Sequence, residues 1–169
     1  MDLKLTEEQR MVQETARRFA EKEVAPIAAQ MDERGEVPFD NLRKMGQLGF
    51  LGLTAPEEYD GGGADTVSYV LAIEEIAKAC ASTAVVMAVQ NSLCNYTLSV
   101  FGSKEQKVRF LRPAARGEAI GAFALTEPGA GSDAAAQQTI AVRNGDDYVI
   151  NGSKHFITNG PFADLVLLF

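Results

Sequence analysis

Residues 121–133 read GAFALTEPGAGSD. Side chains alternate from Ile120 to Thr126, which predicts a strand, and Pro128-Gly129 predicts a turn at its end. The glycines that follow lead into further predicted strands. The spacing of apolar residues thus changes from helical to alternating after about Gly117. This stretch therefore marks the start of a β region.

The same stretch contains the pattern of a dinucleotide-binding loop. Gly129, Gly131 and Ala134 fit G-x-G-x-x-A. That pattern needs a helix directly after the glycines, whereas Asn-Gly turns follow here, so we reject a Rossmann unit. Two interpretations stay open: a simple turn, which the residues alone favour, or a glycine loop whose amides approach an anion, with Ser132 as a hydroxyl donor.

Downstream, the sequence predicts four more strands at 139–143, 148–151, 154–158 and 165–169. Asn-Gly pairs favour tight antiparallel hairpins, and they occur at Asn144-Gly145, Asn151-Gly152 and Asn159-Gly160. The final strand is apolar and would expose an edge. We therefore expect partner strands from a longer chain or from elsewhere.

Upstream, apolar residues recur at helical spacing. Predicted helix starts are Thr6 (a capping box with Gln9), Pro26, Asp40, Thr66, Ser82 and Ser103 (a capping box with Gln106). Predicted ends are Gly35, Gly49, Ala81, Gly102 and Pro113. The fold class is thus α+β: an N-terminal all-α helical bundle domain (1–117), followed by the start of an antiparallel β domain (118–169), truncated.

Composition narrows the classes of function. The net charge is −7 and the pI is about 4.8, which argues against nucleic-acid binding. The sequence predicts no membrane span, no signal peptide and no metal site. Cys80 and Cys94 lack metal or redox spacing and are interpreted as buried free thiols. A cytoplasmic location, or the mitochondrial matrix after processing, is expected.

A second stretch, residues 151–160, reads NGSKHFITNG. Together the two stretches resemble the signature of the acyl-CoA dehydrogenase family, A-[FYL]-[AC]-L-T-E-P-x-A-G-S-D followed by N-G-x-K-x-[WF]-I-T-N. Residues 56–62, 74–77 and 101–107 also resemble family features, in family order. The resemblance implies helical, β and helical domains, bound FAD, and α,β-dehydrogenation of an acyl-CoA thioester.

The resemblance also implies which residues bind. The implied FAD-binding residues are Phe123, Leu125, Thr126, Gly131, Ser132, Phe156, Ile157 and Thr158, and Ser132 is also implied in substrate binding. Alternation on the predicted strand at 154–158 would place Phe156 and Thr158 on one face. His155, the only histidine, would then point away from them and is interpreted as non-catalytic.

Several carboxylates compete for a catalytic role. Glu127 and Asp133 are interpreted as loop-shaping hydrogen-bond acceptors, and Glu74 and Glu75 as solvated or ion-paired helix charges. The resemblance implies a glutamate of the C-terminal domain as base, so no catalytic residue is assigned in this chain, which we expect to be inactive alone. The apolar helix at 84–96 is either bundle core or a border of the acyl pocket.

The resemblance implies acyl-CoA as substrate, an electron-transferring flavoprotein as partner and a homotetramer. Two alternatives remain open. One is a non-catalytic binding or assembly module derived from the family, and the other is an acyl-CoA oxidase.

Overall fold

A computed structural model describes residues 4–169. About the first two thirds of the chain are helical, with α-helices α1 to α8 at Glu7–Phe19, Ala25–Arg34, Phe39–Gln47, Thr66–Ala79, Ala81–Ala88, Tyr96–Phe101, Lys104–Gln106 and Arg112–Ala115. Three π-helical segments at Ala20–Val24, Val89–Asn95 and Lys107–Leu111 join consecutive α-helices into longer runs. Short 3₁₀ turns lie at Phe50–Gly52, Glu57–Tyr59, Ala134–Ala136 and Gly160–Phe162.

Both predicted capping boxes are present, at Thr6 with Gln9 and at Ser103 with Gln106. Each satisfies amide groups that the first helical turn leaves unpaired. Gly35 ends α2 in the left-handed region, with φ 62°, as predicted. These signals are local, and the structure confirms them.

Pro26 lies in the first turn of α2, as predicted, although the π-helical segment before it joins α1 to α2 without a break. Other predicted helix boundaries are wrong. Asp40 lies inside the first turn of α3, which Pro38 precedes, and α5 begins after Cys80 rather than at Ser82. Pro113 starts α8 instead of ending a helix, since its missing N–H is tolerated in a first turn.

The core lies between α1, α4 and the long helical run that begins with α5. Met45, Leu51, Ile76 and Met87 are completely buried there. Next to it, Arg17 of α1 donates two hydrogen bonds to the carboxylate of Glu75, which is 3% exposed. Of the two alternatives predicted for Glu75, ion-paired or solvated, the structure shows the ion pair.

The β region contains β1 (Gly121–Ala124), β2 (Ile140–Asn144), β3 (Asp147–Asn151) and β4 (Leu165–Leu168). β2 and β3 form the expected antiparallel hairpin, in which Gly145 begins the turn at φ 65°. β1 pairs with β4 in parallel, with Gly121 opposite Leu165. The predicted fold class, a helical region followed by the start of a β region, is confirmed; the parallel pair was not foreseen.

The predicted strand at 154–158 is wrong. Residues 152–155 have no regular structure, Phe156 has a positive φ of 56°, and Thr158 and Asn159 form a turn. The other two Asn-Gly pairs, Asn151-Gly152 and Asn159-Gly160, form no hairpin. Across residues 4–169, no helix has both the length and the apolar character needed to span a bilayer.

Candidate functional site

One edge of β1 is occupied by β4. Leu165 N–H donates to the Ile120 carbonyl and Phe169 N–H to the Ala124 carbonyl, each at 3.2 Å. Since backbone groups alternate direction along a strand, Phe123 and Leu125 turn theirs to the opposite edge. We call this the free edge of β1, comprising the N–H and C=O of Phe123 and the N–H of Leu125.

The start of the free edge is fixed by a buried amide. Gln90, in the π-helical segment Val89–Asn95, accepts a 2.8 Å hydrogen bond from Gly121 N–H. Its amide nitrogen donates to the carbonyls of Ala114 and Ala119, each at 2.9 Å. Gln90 is completely buried. One side chain therefore ties β1 to the helical bundle.

Asn159 holds the same strand from the other side. It has φ 66°, is 4% exposed, and donates a 2.9 Å hydrogen bond to the Gly121 carbonyl. Its side-chain oxygen is buried without a partner among residues 4–169. The turn that follows Thr158 is thus fastened to the first residue of β1.

The far end of the free edge is held by Lys154. Its ammonium donates to the Leu125 carbonyl at 2.9 Å, to the Glu127 carboxylate at 2.8 Å and to the Gln137 side chain at 3.1 Å. We call these four residues the Lys154 cluster. The side chains of Lys154 and Glu127 are 10% and 7% exposed, so the ion pair is largely shielded from solvent.

Glu127 has further donors. The backbone N–H groups of Gln138 and Thr139 bind its two oxygens at 2.7 and 2.9 Å. The hydrogen bond from Lys154, followed by those from the loop, lowers the pKa of Glu127 from 4.5 to about 2. The interpretation of Glu127 as a loop-shaping acceptor agrees with this geometry. Asp133 makes no side-chain cap.

The segment after Lys154 carries three of the predicted site residues. His155 N–H donates to the Thr126 carbonyl at 2.8 Å, which joins this segment to the end of β1. The rings of His155 and Phe156 stack with centroids 4.1 Å apart, so they do not point to opposite faces as the predicted strand required. Phe156 is 84% exposed, while Ile157 and Thr158 are half-buried.

The structure brings Leu125 and Thr126 into contact with Lys154 and His155, whereas the Phe123 ring lies 4.6 Å from that of Phe169, between centroids. Gly131 and Ser132 lie apart, on the exposed bend that follows the tight turn between Glu127 and Ala130. A Cβ atom added to Gly131 would meet nothing within 4 Å, and its φ is not positive. Neither packing nor backbone conformation within residues 4–169 therefore calls for glycine there.

Thr158 and Asn159 also border a cavity of about 760 Å³ between α2 and the start of α5. Its walls include Ile27, Val85 and Phe162 and are largely apolar. Among residues 4–169, no group of three or more His, Cys, Asp or Glu side chains could hold a metal ion.

Comparison with known families identifies the chain. Residues 6–118 match the model of the acyl-CoA dehydrogenase N-terminal domain, and residues 122–169 match that of the middle domain. The chain belongs to the acyl-CoA dehydrogenase family. The resemblance that the two sequence motifs carried is thereby confirmed.

Curated and solved family members agree with this assignment. The short-chain specific acyl-CoA dehydrogenase of Clostridium acetobutylicum is 51% identical over 100% of this chain and 45% of its own length. Butyryl-CoA dehydrogenase of Megasphaera elsdenii is 42% identical with a TM-score of 0.94, over 99% of this chain and 45% of that chain. The chain spans less than half the length of these relatives.

A third relative has a bound flavin. Glutaryl-CoA dehydrogenase of Mycobacterium smegmatis, in complex with FADH2, is 35% identical with a TM-score of 0.92. The match covers 97% of this chain and 42% of that chain. This family member has flavin in its solved structure.

Sequence reasoning did not single out three residues that shape the site: Gln90, Lys154 and Asn159. Gln90 directly follows the apolar run at residues 84–89 and begins the polar run Gln90-Asn91-Ser92, and a polar side chain that is buried there needs a partner. Lys154 and Asn159 belong to the quoted motif 151–160, but their partners at Leu125 and Gly121 are distant in sequence. Only the change from an apolar to a polar run at Gln90 gave a local signal.

Proposed function

We propose that this chain supplies part of the FAD and acyl-CoA site of an enzyme that removes hydrogen from the α and β carbons of an acyl-CoA thioester. The observation that carries the proposal is the free edge of β1, held between Gln90 and Lys154, in a chain that matches the family along its length. When bound, FAD would accept the hydride from the β carbon.

The residues fit such a group. The Leu125 and Thr126 N–H groups have no acceptor among residues 4–169 and would donate to the pyrimidine edge of the ring, beside Phe123. Phe156, Ile157 and Thr158 would pack against and border the ring. Exposed Phe156 supports this role, since an aromatic side chain at 84% exposure leaves its apolar face uncovered.

Gly131 and Ser132 would lie near the pyrophosphate of FAD, with Ser132 also near the substrate. The open surroundings of Gly131 support this role. No neighbouring residue requires a glycine at this position, and the missing side chain would let a phosphate approach the backbone closely. Ser132 is exposed on the same bend, so its hydroxyl is available as a donor.

We assign no catalytic base in this chain. Glu127 is a poor proton acceptor, because its lowered pKa of about 2 and its three donors stabilise the ionised form. His155 is tied by its backbone to Thr126 and stacks on Phe156. These residues orient the site, and the α proton would be removed by a glutamate outside residues 1–169.

The proposed substrate has a short acyl chain. The support is the similarity to a short-chain specific relative and to butyryl-CoA dehydrogenase. The proposed partners are an electron-transferring flavoprotein and further copies of the chain in a homotetramer. The proposed domains are 1–117 and 118–169, and the proposed compartment, cytoplasm or mitochondrial matrix, suits the free thiols of Cys80 and Cys94.

The test uses the natural polypeptide that carries this sequence. Its visible spectrum is recorded without oxygen before and after addition of butyryl-CoA, with acetyl-CoA as the control, because acetyl-CoA lacks a β carbon. We expect a flavin band that butyryl-CoA bleaches and acetyl-CoA does not. A colourless protein would exclude flavin chemistry and favour a binding module, whereas bleaching that air reverses with release of peroxide would favour an oxidase.

A further inference from the structure

The Leu125 carbonyl receives a hydrogen bond from a charged group. The Lys154 ammonium lies 2.9 Å from this oxygen and is only 10% exposed. Charge-assisted hydrogen bonds are stronger than neutral ones, and burial reduces the screening by water. The peptide group between Leu125 and Thr126 is therefore strongly polarised.

The other end of that peptide group is the Thr126 N–H. No acceptor among residues 4–169 binds it. Hydrogen bonds through one amide strengthen each other, by about 10–30% per bond in condensed-phase estimates. Because the peptide bond is trans, the Thr126 N–H points away from Lys154, and a cation on the Leu125 oxygen makes this N–H a better donor toward an acceptor on that opposite side.

The charge of Lys154 is balanced within the Lys154 cluster. The Glu127 carboxylate lies 2.8 Å from the ammonium and holds a lowered pKa, so it stays ionised at neutral pH. The two charges have opposite effects on the donor strength of the Thr126 N–H. Lys154 has the direct effect, because its ammonium binds the Leu125 oxygen of the same peptide group.

We propose that Lys154 is a positioning residue that tunes the reduction potential of bound FAD, by polarising the Leu125–Thr126 peptide group while holding residues 154–158 against β1. This rests on the proposed function. A ring that gains negative charge on reduction is bound more tightly by a stronger donor. Lys154 therefore favours the reduced cofactor, and Glu127 moderates the effect.

The test compares charge variants of the natural polypeptide with FAD bound, and its readout is the midpoint potential measured by spectroscopic titration. Lys154→Met removes the cation at similar length, Glu127→Gln removes the opposing anion, and Lys154→Arg keeps the cation. Lys104→Met is the matched control, because Lys104 is an exposed lysine in α7 of the helical bundle.

We expect opposite shifts. Lys154→Met should lower the ratio of affinities for reduced and oxidised FAD by about threefold to tenfold, which is about 15–30 mV for a two-electron couple. Glu127→Gln should raise the potential, and Lys154→Arg and Lys104→Met should leave it within about 5 mV, less than a twofold change in that ratio.

Shifts of Lys154→Met and Glu127→Gln in the same direction, or no shift in either, would overturn the proposal and leave a purely structural ion pair. If Lys154→Met does not retain FAD, the result for Glu127→Gln decides alone. A rise in the midpoint potential of this variant supports the proposal, and a fall or an unchanged potential overturns it. A wild-type protein without flavin would instead overturn the proposed function itself, so the two failures are distinguishable.

Discussion

The side-chain oxygen of Gln90 accepts a 2.8 Å hydrogen bond from the backbone N–H of Gly121. This contact joins the middle of the helical run from α5 to α6 to the first residue of the strand that borders the candidate site. A Cβ on Gly121 would come within 2.7 Å of the Cys94 sulfur, so helix and strand approach each other as closely as glycine permits. The position of β1 is thus set from inside the helical bundle.

Gln90→Ala should destabilise the protein. The change leaves the Gly121 N–H and the carbonyls of Ala114 and Ala119 without their partner, and it opens a small cavity. We expect the free energy of unfolding to fall by about 2–4 kcal/mol. Denaturant titration measures this, with exposed Gln30→Ala in α2 as the control. Equal stability of both variants would contradict the anchoring role.

Glu127 should make stability depend on pH below about 4.5. Its folded pKa, about 2, lies below its ordinary value of 4.5, so its stabilisation is complete above the unfolded pKa and is lost as pH falls toward 2. Glu127→Gln should therefore be less stable than wild type near neutral pH, and the gap should close as pH approaches 2.

Urea midpoints measured across that pH range check this prediction. Glu33→Gln, at an exposed carboxylate in α2, is the control. A gap between wild type and Glu127→Gln that stays constant with pH would show that the Glu127 charge is not the source of the stabilisation.

How well the sequence predicts each part of the fold depends on how far apart in sequence the interacting residues are. Capping boxes at Thr6 and Ser103 involve partners three residues away, so their signals are readable in the chain. Residues 154–158 instead take their shape from Lys154 and His155, which bind Leu125 and Thr126 some 29 residues earlier. Alternation of side chains could not reveal that conformation, and the predicted strand failed there.

The same limit applies to β4. An apolar run such as Leu165–Leu168 predicts a strand, but its parallel pairing with β1 depends on the path of the 40 residues between them. The sequence motifs were enough to identify the family. The contacts of Gln90 and Asn159 with Gly121 became visible only in the structure. The roles of the eight predicted FAD-binding residues remain predictions.

Cys94 should resist alkylation in the folded protein. It is completely buried, and burial raises the pKa of its thiol to about 12. Since the thiolate is the reactive form, iodoacetamide at about pH 8 should modify half-buried Cys80 faster than Cys94. Mass spectrometry of peptides locates the adducts, and equal labelling in denaturant is the control. Faster native labelling of Cys94 would place the Val89–Asn95 segment at the surface.

Gly131→Ala should weaken FAD binding without destabilising the fold. An added Cβ meets nothing within 4 Å, and the backbone is not left-handed, so we expect stability to change by less than about 0.5 kcal/mol. If Gly131 lets a phosphate of FAD approach the backbone, the methyl group should weaken FAD binding about tenfold or more, since one lost or strained contact of about 1.4 kcal/mol has that effect.

Equilibrium titration of FAD onto the apoprotein measures the affinity, and thermal unfolding of the apoprotein measures stability. Gly145→Ala is the matched control, because its surroundings are equally open but it lies in the β2–β3 turn with φ 65°. It should lose stability through backbone strain and keep its FAD affinity. Unchanged FAD affinity in Gly131→Ala would remove Gly131 from the proposed site and restrict the flavin contacts to β1 and residues 156–158.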